Sequence, residues 1–401
     1  MRICMVTLSF PRFEGDFAGI FVQSLARGLA GRGLAVTVVC PHAPGRPTRE
    51  RAAGVDVRRF RYFLPARCQR LAYGAGIAEN LRGSWLARCQ VPLLAGAGAA
   101  AVLSASAGAD VLHGFWSLSG LLAAPTVAIR RVPFQLKLLG SGIRSAPRWA
   151  NRIALGCADA VECGRGTLET YLEGYDYRGP VVDIHHLADY DRVDRDEKLP
   201  PDLADWCTGA GAVVTCVARL VPFKDPVGVV RAVPDVLRSR PDTRFLLVGD
   251  GPLRGEMETL IDELGVGRSV RLAGARSDIG AVLRASTVFV ANSPVTNCYS
   301  SCILEAMHAG VPAVLTDALD PTGSFKRKDY VELVRPEDPK DLARGIVRLL
   351  EDPSLLHRRT EMGRRFLTDF GFDRDVILDR TIASYERLCR RAGGAGRRKR
   401  P

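Results

Sequence analysis

The fold is decided by the stretch AVVTCVARLVPFKDP, which occupies residues 212–226. Its first part is almost uniformly apolar, which is typical of a parallel strand buried on both faces of a sheet. Arg219 and Lys224 follow directly, with Pro222 between them. Two cations on one loop at a strand end can bind the same polyanion, because Arg donates two parallel hydrogen bonds to phosphate oxygens and Lys supplies a compact charge. In isolation, the same pair would be two solvated loop cations.

The alternation of strand and helix patterns continues on both sides of this stretch. After it come strand patterns at 244–250, 270–274, 288–292 and 312–317, with helical patterns at about 226–239, 252–264, 278–285, 301–310 and 338–351. Before it, short apolar runs lie at 2–8, 35–40, 55–60, 109–113, 134–139, 159–163 and 181–185. This alternation predicts two doubly wound α/β domains, with ligands near the carboxyl ends of the strands.

Composition shifts suggest the domain boundaries. The charged, proline-bearing segment 189–211 is interpreted as a linker because it lacks apolar periodicity. The resulting division is an N-terminal domain at 1–188, the linker, a C-terminal domain at 212–372, a final helix at 373–391 and a basic tail at 392–401.

The charge of the chain is unevenly distributed. The 401 residues are 47% hydrophobic and 25% charged, which excludes disordered and coiled-coil classes. Residues 1–150 contain 19 basic and 6 acidic residues, a net charge of +13, whereas the remainder has a net charge of −1. A basic surface suits nucleic acid, anionic lipid or a phosphorylated substrate, although excess Arg can also serve solubility alone.

Nothing in the sequence predicts secretion or a membrane span. The apolar run in MRICMVTLSFP is too short for a signal peptide, and eleven cysteines without a CxxC pair indicate reduced thiols. The uncharged run 91–109 is mostly Ala, Gly and Ser, which favours a buried helix. We therefore expect a cytoplasmic protein, and the basic half leaves peripheral contact with an anionic inner membrane face open.

A second candidate site lies in NSPVTNCYSSCILEAMHAGVPAVLTD, residues 292–317. Small and polar residues lead into a helix that begins near Ser301, and its free amides could bind phosphate or sugar hydroxyls. Glu305, one turn further, could accept two hydrogen bonds from a ribose diol. Alternatively, Glu305 is a surface carboxylate favoured by the helix dipole.

Together these motifs resemble the group 1, family 4 retaining glycosyltransferases. In the C-terminal half, the resemblance is carried nearly end to end by VARLVPFKDP, LLVGDGPLR (246–254), VRLAGARSDIGAVLRAS (270–286), CILEAMHAGVPAVLTD (302–317) and residues 329–353. In the N-terminal half it rests less tightly on residues 9–39, which resemble the family's glycine loop and first helix. Residues 59–82 are similar to members that build extracellular polysaccharide and glycolipid.

The resemblance implies a GT-B fold, in which two Rossmann-like doubly wound domains face each other across a cleft. The first domain would bind the acceptor, the second would bind a nucleotide-diphosphate sugar, and the last helix would cross back to the first. The implied catalytic residues are Arg219, Lys224, Glu305 and Asn297. The implied donor-binding residues are Gly15, Gly19, Gly274, Arg276, Cys298, Tyr299, Ser300 and Ser301. The candidate acceptor-binding residues are His113, Trp116, Lys137, Ser141 and Arg144, although HGFW (113–116) could equally be a packed strand end.

The resemblance also implies that no metal and no cofactor is needed. Two cations and the amides of a helix start can neutralise the departing diphosphate. The DxD spacings Asp189–Asp191 and Asp194–Asp196 fall in the linker and are interpreted as solvated carboxylates. Retention would follow a same-face route, with the departing phosphate oxygen assisting attack by the acceptor.

Three positions depart from the family pattern. Asn297 stands where the family has the first of two glutamates, Leu139 where many members have His, and HHLAD (185–189) where the hinge motif PNGVD is usual. The role of His185 and His186 is left open. A second hypothesis is therefore a catalytically degenerate protein that binds a nucleotide sugar or acts as a scaffold. Nucleic-acid binding is not supported, because no recognised motif accompanies the basic half.

Overall fold

Parallel strands form most of both sheets in this computed structural model, which describes residues 1–394 except 14, 17, 75, 140–145, 165–171, 173, 176 and 296–298. The chain divides into two units. Unit 1 comprises Met1–Leu187 and Arg374–Pro401, and unit 2 comprises Ala188–Asp373.

The strands are short and mostly buried. In unit 1 they are β1 (Arg2–Val6), β2 (Ala35–Pro41), β3 (Arg49–Ala52), β4 (Val55–Phe60), β5 (Val111–Phe115), β6 (Phe134–Lys137), β7 (Ala160–Cys163) and β8 (Val181–Asp183). In unit 2 they are β9 (Ala212–Val217), β10 (Thr243–Val248), β11 (Val270–Gly274), β12 (Val288–Ala291), β13 (Ala313–Thr316) and β14 (Glu332–Val334).

Helices separate most of these strands. In chain order they are α1 (Ile20–Gly31), α2 (Ile77–Gly83), α3 (Trp85–Cys89), α4 (Val91–Ala105), α5 (Ser117–Arg130), α6 (Arg148–Cys157), α7 (Tyr190–Val193), α8 (Pro201–Cys207), α9 (Pro226–Ser239), α10 (Arg254–Glu263), α11 (Ile279–Arg284), α12 (Ser301–His308), α13 (Pro339–Glu351), α14 (Pro353–Asp369) and α15 (Arg374–Gly394). Among the described residues, no helix is both long and apolar enough to cross a bilayer.

The sheet of unit 1 has the order β3-β4-β2-β1-β5-β6-β7-β8. Every neighbouring pair is parallel except β3 and β4, which are antiparallel. Seven of these strands coincide with apolar runs predicted from the sequence. The exception is β3, whose sequence RERA is charged and largely exposed at the sheet edge, so it carries no apolar signal.

The sheet of unit 2 is wholly parallel, with the order β11-β10-β9-β12-β13-β14. The strand order reverses between β9 and β12, and ligands of such sheets bind outside the carboxyl ends of the strands at this point. The sequence analysis missed β14 and α14. The two doubly wound α/β domains predicted from the alternation of strands and helices are confirmed.

The last helix belongs to unit 1. A Cβ on Gly28 of α1 would lie 2.7 Å from Leu378 Cδ2 of α15, so glycine permits the close approach of these two helices. Arg32, just after α1, pairs with Asp375 and Asp379 of α15 at 2.6 and 2.9 Å. Because these two ion pairs are exposed, they contribute less to stability than the apolar packing.

Residues 189–211 do not form the solvated linker expected from their charge. They contain α7 and α8, which belong to unit 2 and bury Val193 and Leu203. The guanidinium of Arg284 donates to the backbone carbonyl of Val193 at 2.8 Å. These helices have only four and seven residues, too few for a helical periodicity to stand out against the surrounding charges.

The expectation of a buried helix in 91–109 holds for only one face of α4. Leu94, Gly98 and Val102 are buried at helical spacing. By contrast, Val91 and Leu93 are exposed. A helix that is apolar on all sides cannot reveal from its sequence which face packs.

A buried charged cluster connects the strands of unit 1. Glu162 on β7 is fully buried and forms an ion pair with Lys137 on β6. His113 Nε2 on β5 lies 3.1 Å from Glu162 Oε2. Lys137 Nζ also donates to the carbonyl oxygens of Ile184 and His185, at 3.3 and 3.1 Å. The cluster therefore joins β5, β6 and β7 to residues 184–185, close to the point where the chain leaves unit 1 at Leu187.

The same cluster reaches α15. Tyr385 Oη and His113 Nδ1 are hydrogen-bonded at 2.6 Å, and Ser384 Oγ donates to Gln135 Oε1 at 2.7 Å. Gln135 Nε2 in turn donates to Glu162 Oε2 at 2.5 Å. Residues that are about 250 positions apart in the chain thus share one polar network.

We expect Glu162→Gln to destabilise unit 1 by about 3–5 kcal/mol at neutral pH, because it leaves Lys137 buried without its counter-ion. Burial opposes ionisation of Glu162, but Lys137 and His113 outweigh it and lower the pKa of this carboxyl from 4.5 to about 2. A lowered folded-state pKa stabilises the fold above pH 4.5, and this contribution is lost as the pH falls towards 2. The difference between wild type and variant should therefore shrink across that window.

Urea unfolding at several pH values measures this difference. Glu79→Gln is the matched control, because Glu79 is exposed and forms a surface ion pair with Arg82. Equal stability of Glu162→Gln and Glu79→Gln at pH 7 would contradict the structural role of the cluster.

Candidate functional site

The carboxyl ends of β9 and β12 carry the two motifs that the sequence analysis singled out. Arg219 and Lys224 lie in the loop after β9, and Pro222–Lys224 forms a short 3-10 turn. The two cations flank one aromatic ring: Arg219 Cζ is 5.3 Å and Lys224 Nζ is 5.8 Å from the centre of Phe223. The predicted pair of charges is therefore brought together.

These two cations have no carboxylate partner among the residues that the structure describes. Asp225 is the adjacent carboxylate, but its oxygens are engaged elsewhere. It accepts hydrogen bonds from the Gly228 amide at 2.9 Å and from Asn292 Nδ2 at 2.8 Å. It therefore caps α9 and fixes the end of β12 instead of neutralising the cations.

Burial lowers the pKa of Arg219 and of Lys224, and repulsion from Arg219 contributes to the shift at Lys224. The ordinary pKa of Arg is so high that Arg219 stays charged at neutral pH. Lys224 is half-buried and lies beside a second cation, so its charge is disfavoured in the unliganded fold, and an anion would relieve that cost.

The start of α12 lies beside these cations. Lys224, Ser300 and Cys302 line one small cavity, together with residues at the end of β12. Ser300 precedes α12, and its own side chain makes no capping hydrogen bond to the helix amides. Helix-start amides next to a cation favour an anion such as phosphate. The sequence analysis missed Cys302, whose pKa is raised by burial despite the nearby ammonium group.

The loops after β9, β10 and β11 pack against one another. A Cβ on Gly249 would lie 1.8 Å from the Ala218 carbonyl oxygen, and its φ of 138° also requires glycine. The amide of Gly249 donates to the carbonyl oxygen of Gly274 at 2.8 Å. Arg276 is held by two 2.7 Å hydrogen bonds to Asp278, so this predicted donor-binding side chain has its charge neutralised.

Glu305 is not the surface carboxylate that the alternative interpretation suggested. It is fully buried in α12 and forms an ion pair with Arg192 of α7, whose side chain is 14% exposed. Burial raises the pKa of Glu305, although Arg192 acts in the opposite direction. In this conformation, the guanidinium of Arg192 contacts one oxygen of the carboxylate that was expected to bind a ribose diol.

The sequence analysis missed Arg192 because it assigned the residue to a linker. Further contacts hold α7 and its flanking residues against α12. The rings of Tyr190 and His308 stack with centroids 4.4 Å apart, and His308 Nε2 lies 2.7 Å from Asp194 Oδ1. Asp194 therefore pairs with a histidine while its side chain remains 62% exposed, as expected for a solvated carboxylate of the DxD spacing.

Tyr299 does not offer its side chain to a ligand. Its ring is buried among Phe325, Phe366 and Phe372, with centroids 5.1–5.7 Å away. Its φ of 53° turns the chain immediately before α12. Its predicted role in donor binding is therefore limited to the backbone, because the aromatic ring belongs to the core.

Two predicted acceptor-binding residues are also structural. His113 is completely buried and Lys137 nearly so, and both belong to the cluster around Glu162. The His113 side chain has no exposed surface and that of Lys137 is 3% exposed, so neither is available to an acceptor. The strand ends were located correctly, but the sequence did not reveal the buried carboxylate that neutralises these side chains.

Trp116 lies at the carboxyl end of β5 and is only half-buried. Phe21 lies beside it, with ring centroids 5.4 Å apart, and also contacts the His186 ring at 6.0 Å. Burial, with smaller contributions from Lys137 and His185, lowers the pKa of His186 to about 3. His186 is therefore neutral at physiological pH, and the role of Trp116 in acceptor binding stays a prediction.

The glycine loop of unit 1 is held by a buried carboxylate. Asp16 accepts hydrogen bonds from the Arg12 guanidinium at 2.6 Å and from the Ala18 amide at 3.2 Å. A Cβ on Gly19 would lie 2.1 Å from the Ser9 carbonyl oxygen, so glycine is required there. Gly15 is exposed and has a φ of 85°. The predicted role of Gly15 and Gly19 in donor binding stays a prediction.

Comparisons with known proteins agree with these two units. The sequence model of the family described as "Glycosyl transferases group 1" matches residues 209–366, and that of the "Glycosyl transferase 4-like domain" matches residues 18–162. The chain belongs to the group 1 glycosyltransferases. The family resemblance predicted from the motifs is confirmed.

One curated relative is the lipopolysaccharide core biosynthesis glycosyltransferase LpsD of Rhizobium meliloti. It is 33% identical over 212 residues, which are 50% of this chain and 59% of the relative. The chain thus spans less than two thirds of that relative's length.

Two solved structures establish the GT-B fold of this group 1 glycosyltransferase. Sucrose-phosphate synthase from Thermosynechococcus elongatus has a TM-score of 0.74 at 19% identity and covers 96% of this chain and 98% of its own. The HepE protein of Anabaena, solved in complex with UDP, has a TM-score of 0.72 at 18% identity and covers 96% of this chain and 100% of its own.

Several residues expected in the site of this glycosyltransferase lie outside the described residues. They are Asn297, Cys298, Ser141 and Arg144. Within the described ranges, no group of three or more His, Cys, Asp or Glu side chains could hold a metal ion.

We expect Lys224→Met to keep or raise the melting temperature of the unliganded protein while weakening anion binding. The pKa of Lys224 is lowered by burial, so its protonated form opposes folding, and removing the charge removes that cost. Loss of one charge-assisted hydrogen bond should weaken pyrophosphate binding roughly tenfold to a hundredfold.

Calorimetry with pyrophosphate and thermal unfolding measure the two effects. Arg268→Met is the control, because Arg268 is an exposed cation of unit 2 outside this site. Unchanged pyrophosphate affinity in Lys224→Met would contradict the anion-binding assignment.

We expect Arg192→Met to destabilise unit 2 by about 3–5 kcal/mol at neutral pH, because Glu305 would stay buried without its counter-ion. The pKa of Glu305 should then rise further, so stability should fall as the pH rises above 4.5. The double variant Arg192→Met/Glu305→Leu should recover most of the loss. A double-mutant cycle measures the coupling, and additive effects would contradict a direct ion pair.

Proposed function

We propose that this chain transfers a sugar from a nucleotide-diphosphate sugar to an acceptor hydroxyl with retention at the anomeric carbon. The observation that carries the proposal is the pair Arg219 and Lys224, which has no carboxylate partner within the described ranges, beside the start of α12. This arrangement suits a diphosphate, because preorganised cations and amides stabilise the negative charge that develops as the leaving group departs.

The donor orientation follows from the same sheet edge. With the diphosphate between Lys224 and α12, the ribose would lie towards Glu305 and the base towards the loop that contains Gly274. Arg192 contacts Oε2 of Glu305, so in this proposal one ribose hydroxyl donates to Oε1 and the second competes with the guanidinium for Oε2. The complex of HepE with UDP supports a uridine nucleotide as the first donor to test.

The reaction forms a new glycosidic bond as the bond to the diphosphate breaks. The acceptor hydroxyl attacks the anomeric carbon on the face from which the diphosphate leaves. Its proton passes to the departing phosphate oxygen, so no protein base is required. Arg219 and Lys224 stabilise the leaving group, and Asn297 contacts the donor sugar. An amide can both donate and accept hydrogen bonds, which suits a hydroxyl pattern different from that favoured by Glu.

This mechanism needs no metal, because the two cations stabilise the charge of the departing diphosphate, as a divalent ion does in other transferases. The DxD spacings do not provide an alternative centre among the described residues. Asp194 pairs with His308, and Asp189 is buried near Arg192.

The acceptor we propose is a lipid-linked saccharide or a growing polysaccharide. The relative in lipopolysaccharide core biosynthesis supports this class. In unit 1, the half-buried rings of Phe21 and Trp116 lie at the carboxyl edge of the sheet, and aromatic rings are suited to packing against sugar faces. His186 beside Phe21 can accept a hydrogen bond, because its ring is neutral.

We expect transfer or donor hydrolysis by the wild type in excess EDTA, measured by nucleotide release across a panel of UDP- and GDP-sugars. Arg219→Ala and Lys224→Ala should each lower turnover about 10²–10³-fold, since each removes one contact to the developing charge. Arg268→Ala is the control and should retain wild-type turnover.

Each opposing result has a separate meaning. Near-wild-type turnover of both site variants would overturn the diphosphate assignment. Activity lost in EDTA and restored by Mg²⁺ would overturn metal independence. Donor binding without hydrolysis or transfer would favour the alternative raised by Leu139 and Asn297, a degenerate nucleotide-sugar-binding or scaffold protein.

A further inference from the structure

A surface of unit 1 is both apolar and basic, and the nucleotide site does not use it. We call it the 61–93 surface, and it consists of the loop 61–70 and the exposed face of residues 85–93. Leu64 is 72% exposed and Trp85 is 74% exposed, and Val91 and Leu93 are also exposed. Exposed apolar side chains that cluster mark an interaction site more often than scattered ones do.

One buried side chain connects the two parts of this surface. Gln90 lies between α3 and α4 and is completely buried. Its Nε2 donates to the Cys68 carbonyl oxygen at 2.7 Å, and its Oε1 accepts from the Arg70 amide at 2.9 Å. The loop 61–70 is therefore fixed against the junction of α3 and α4.

The core face and the outward face of this helical segment are both apolar. Ala87, Leu94 and Gly98 are buried, as an amphipathic helix requires. The opposite side exposes Trp85, Val91 and further small or apolar residues, and Arg88 is the one charged residue of the sequence between 83 and 109. A polar outward face would be expected if this segment faced only water.

The charges around these apolar residues have one sign. Residues 61–93 contain five Arg and a single acidic residue, Glu79, which pairs with Arg82. Arg61, Arg67 and Arg70 are exposed and form no ion pair with any residue that the structure describes. A protein partner would need complementary acidic residues in a defined arrangement, whereas a fluid anionic surface needs only the charge and the apolar side chains.

We propose that the 61–93 surface docks on an anionic lipid bilayer, with Trp85 and Leu93 entering the interface and the arginines contacting lipid phosphates. Trp is favoured at the boundary between headgroups and acyl chains, since its ring is apolar and its indole N–H is polar. Apolar insertion and cation attraction act together in this mode of peripheral binding. The proposal rests on this surface and not on the nucleotide site, although it would deliver a lipid-linked acceptor to the proposed enzyme.

Co-sedimentation with vesicles tests the proposal. The full chain is mixed at low salt with vesicles of phosphatidylcholine alone or with phosphatidylglycerol added. We expect binding to the mixed vesicles, weakening as salt is raised. Trp85→Ser and Leu93→Ser should each weaken it about tenfold. Arg67→Gln and Arg70→Gln should each weaken it about fivefold.

Matched controls separate this surface from general properties of the chain. Ile129→Ser removes another exposed aliphatic residue of unit 1, and Arg268→Gln removes an exposed cation of unit 2, so both should bind as wild type. Replacing Arg397, Arg398, Lys399 and Arg400 with Gln tests the basic tail, and binding retained in that variant supports the 61–93 surface.

Three results would overturn the proposal. The first is equal binding to neutral and mixed vesicles, and the second is wild-type binding by both Trp85→Ser and Leu93→Ser. The third is a dimer of the wild type that these variants abolish without changing vesicle binding, which would assign the surface to a second copy of the chain. UDP binding by thermal shift is measured on the same variants: if vesicle binding falls and UDP binding persists, the two proposals stand separately.

Discussion

Neutralisation of one buried carboxylate organises unit 1. Glu162 has no exposed surface, so its charge is tolerated only because Lys137 and His113 reach it from the two neighbouring strands. Through Tyr385 and Gln135 the same cluster holds the last helix, which joins the unit after an intervening domain of almost two hundred residues. Apolar contacts would allow this helix several positions, whereas a set of directional hydrogen bonds favours one.

Unit 2 contains both a compensated and an uncompensated arrangement of charge. Glu305 is buried and paired with Arg192, which ties α7 to α12. Arg219 is exposed and Lys224 is half-buried, and neither has a carboxylate partner among the described residues, while Asp225 beside them caps a helix. The paired charges stabilise the fold, and the unpaired charges are available to a ligand.

The 61–93 surface and the nucleotide site illustrate two ways in which a fold leaves interactions unsatisfied. At the proposed nucleotide site, two neighbouring cations lack a carboxylate partner in the part of the chain that the structure describes. At the 61–93 surface, apolar side chains lack a covering layer, and Arg61, Arg67 and Arg70 have no ion-pair partner among the residues described by the structure. Each deficiency raises the free energy of the isolated protein and is relieved by a partner of complementary chemistry. A diphosphate would relieve the first, and an anionic lipid surface would relieve the second.

The sequence by itself determined the two α/β domains, most of the strands and the position of the cationic loop. Buried parallel strands are continuous apolar runs, so β1 and β9 could be predicted from the sequence. The charged edge strand β3 has no such run and could not be predicted. The family motifs located Arg219, Lys224 and Glu305, because each follows directly from a local pattern. Which charges are paired depends on the tertiary structure. Glu162 pairs with His113 and Lys137 in the core of unit 1. Arg192, in a segment that the sequence suggested was a linker, pairs with Glu305. The tertiary structure also decided which face of α4 packs, since an evenly apolar helix has no periodicity to indicate its buried side. The physical reason is the same in each case: burial and ion pairing depend on contacts between residues far apart in the chain, which local sequence patterns do not encode.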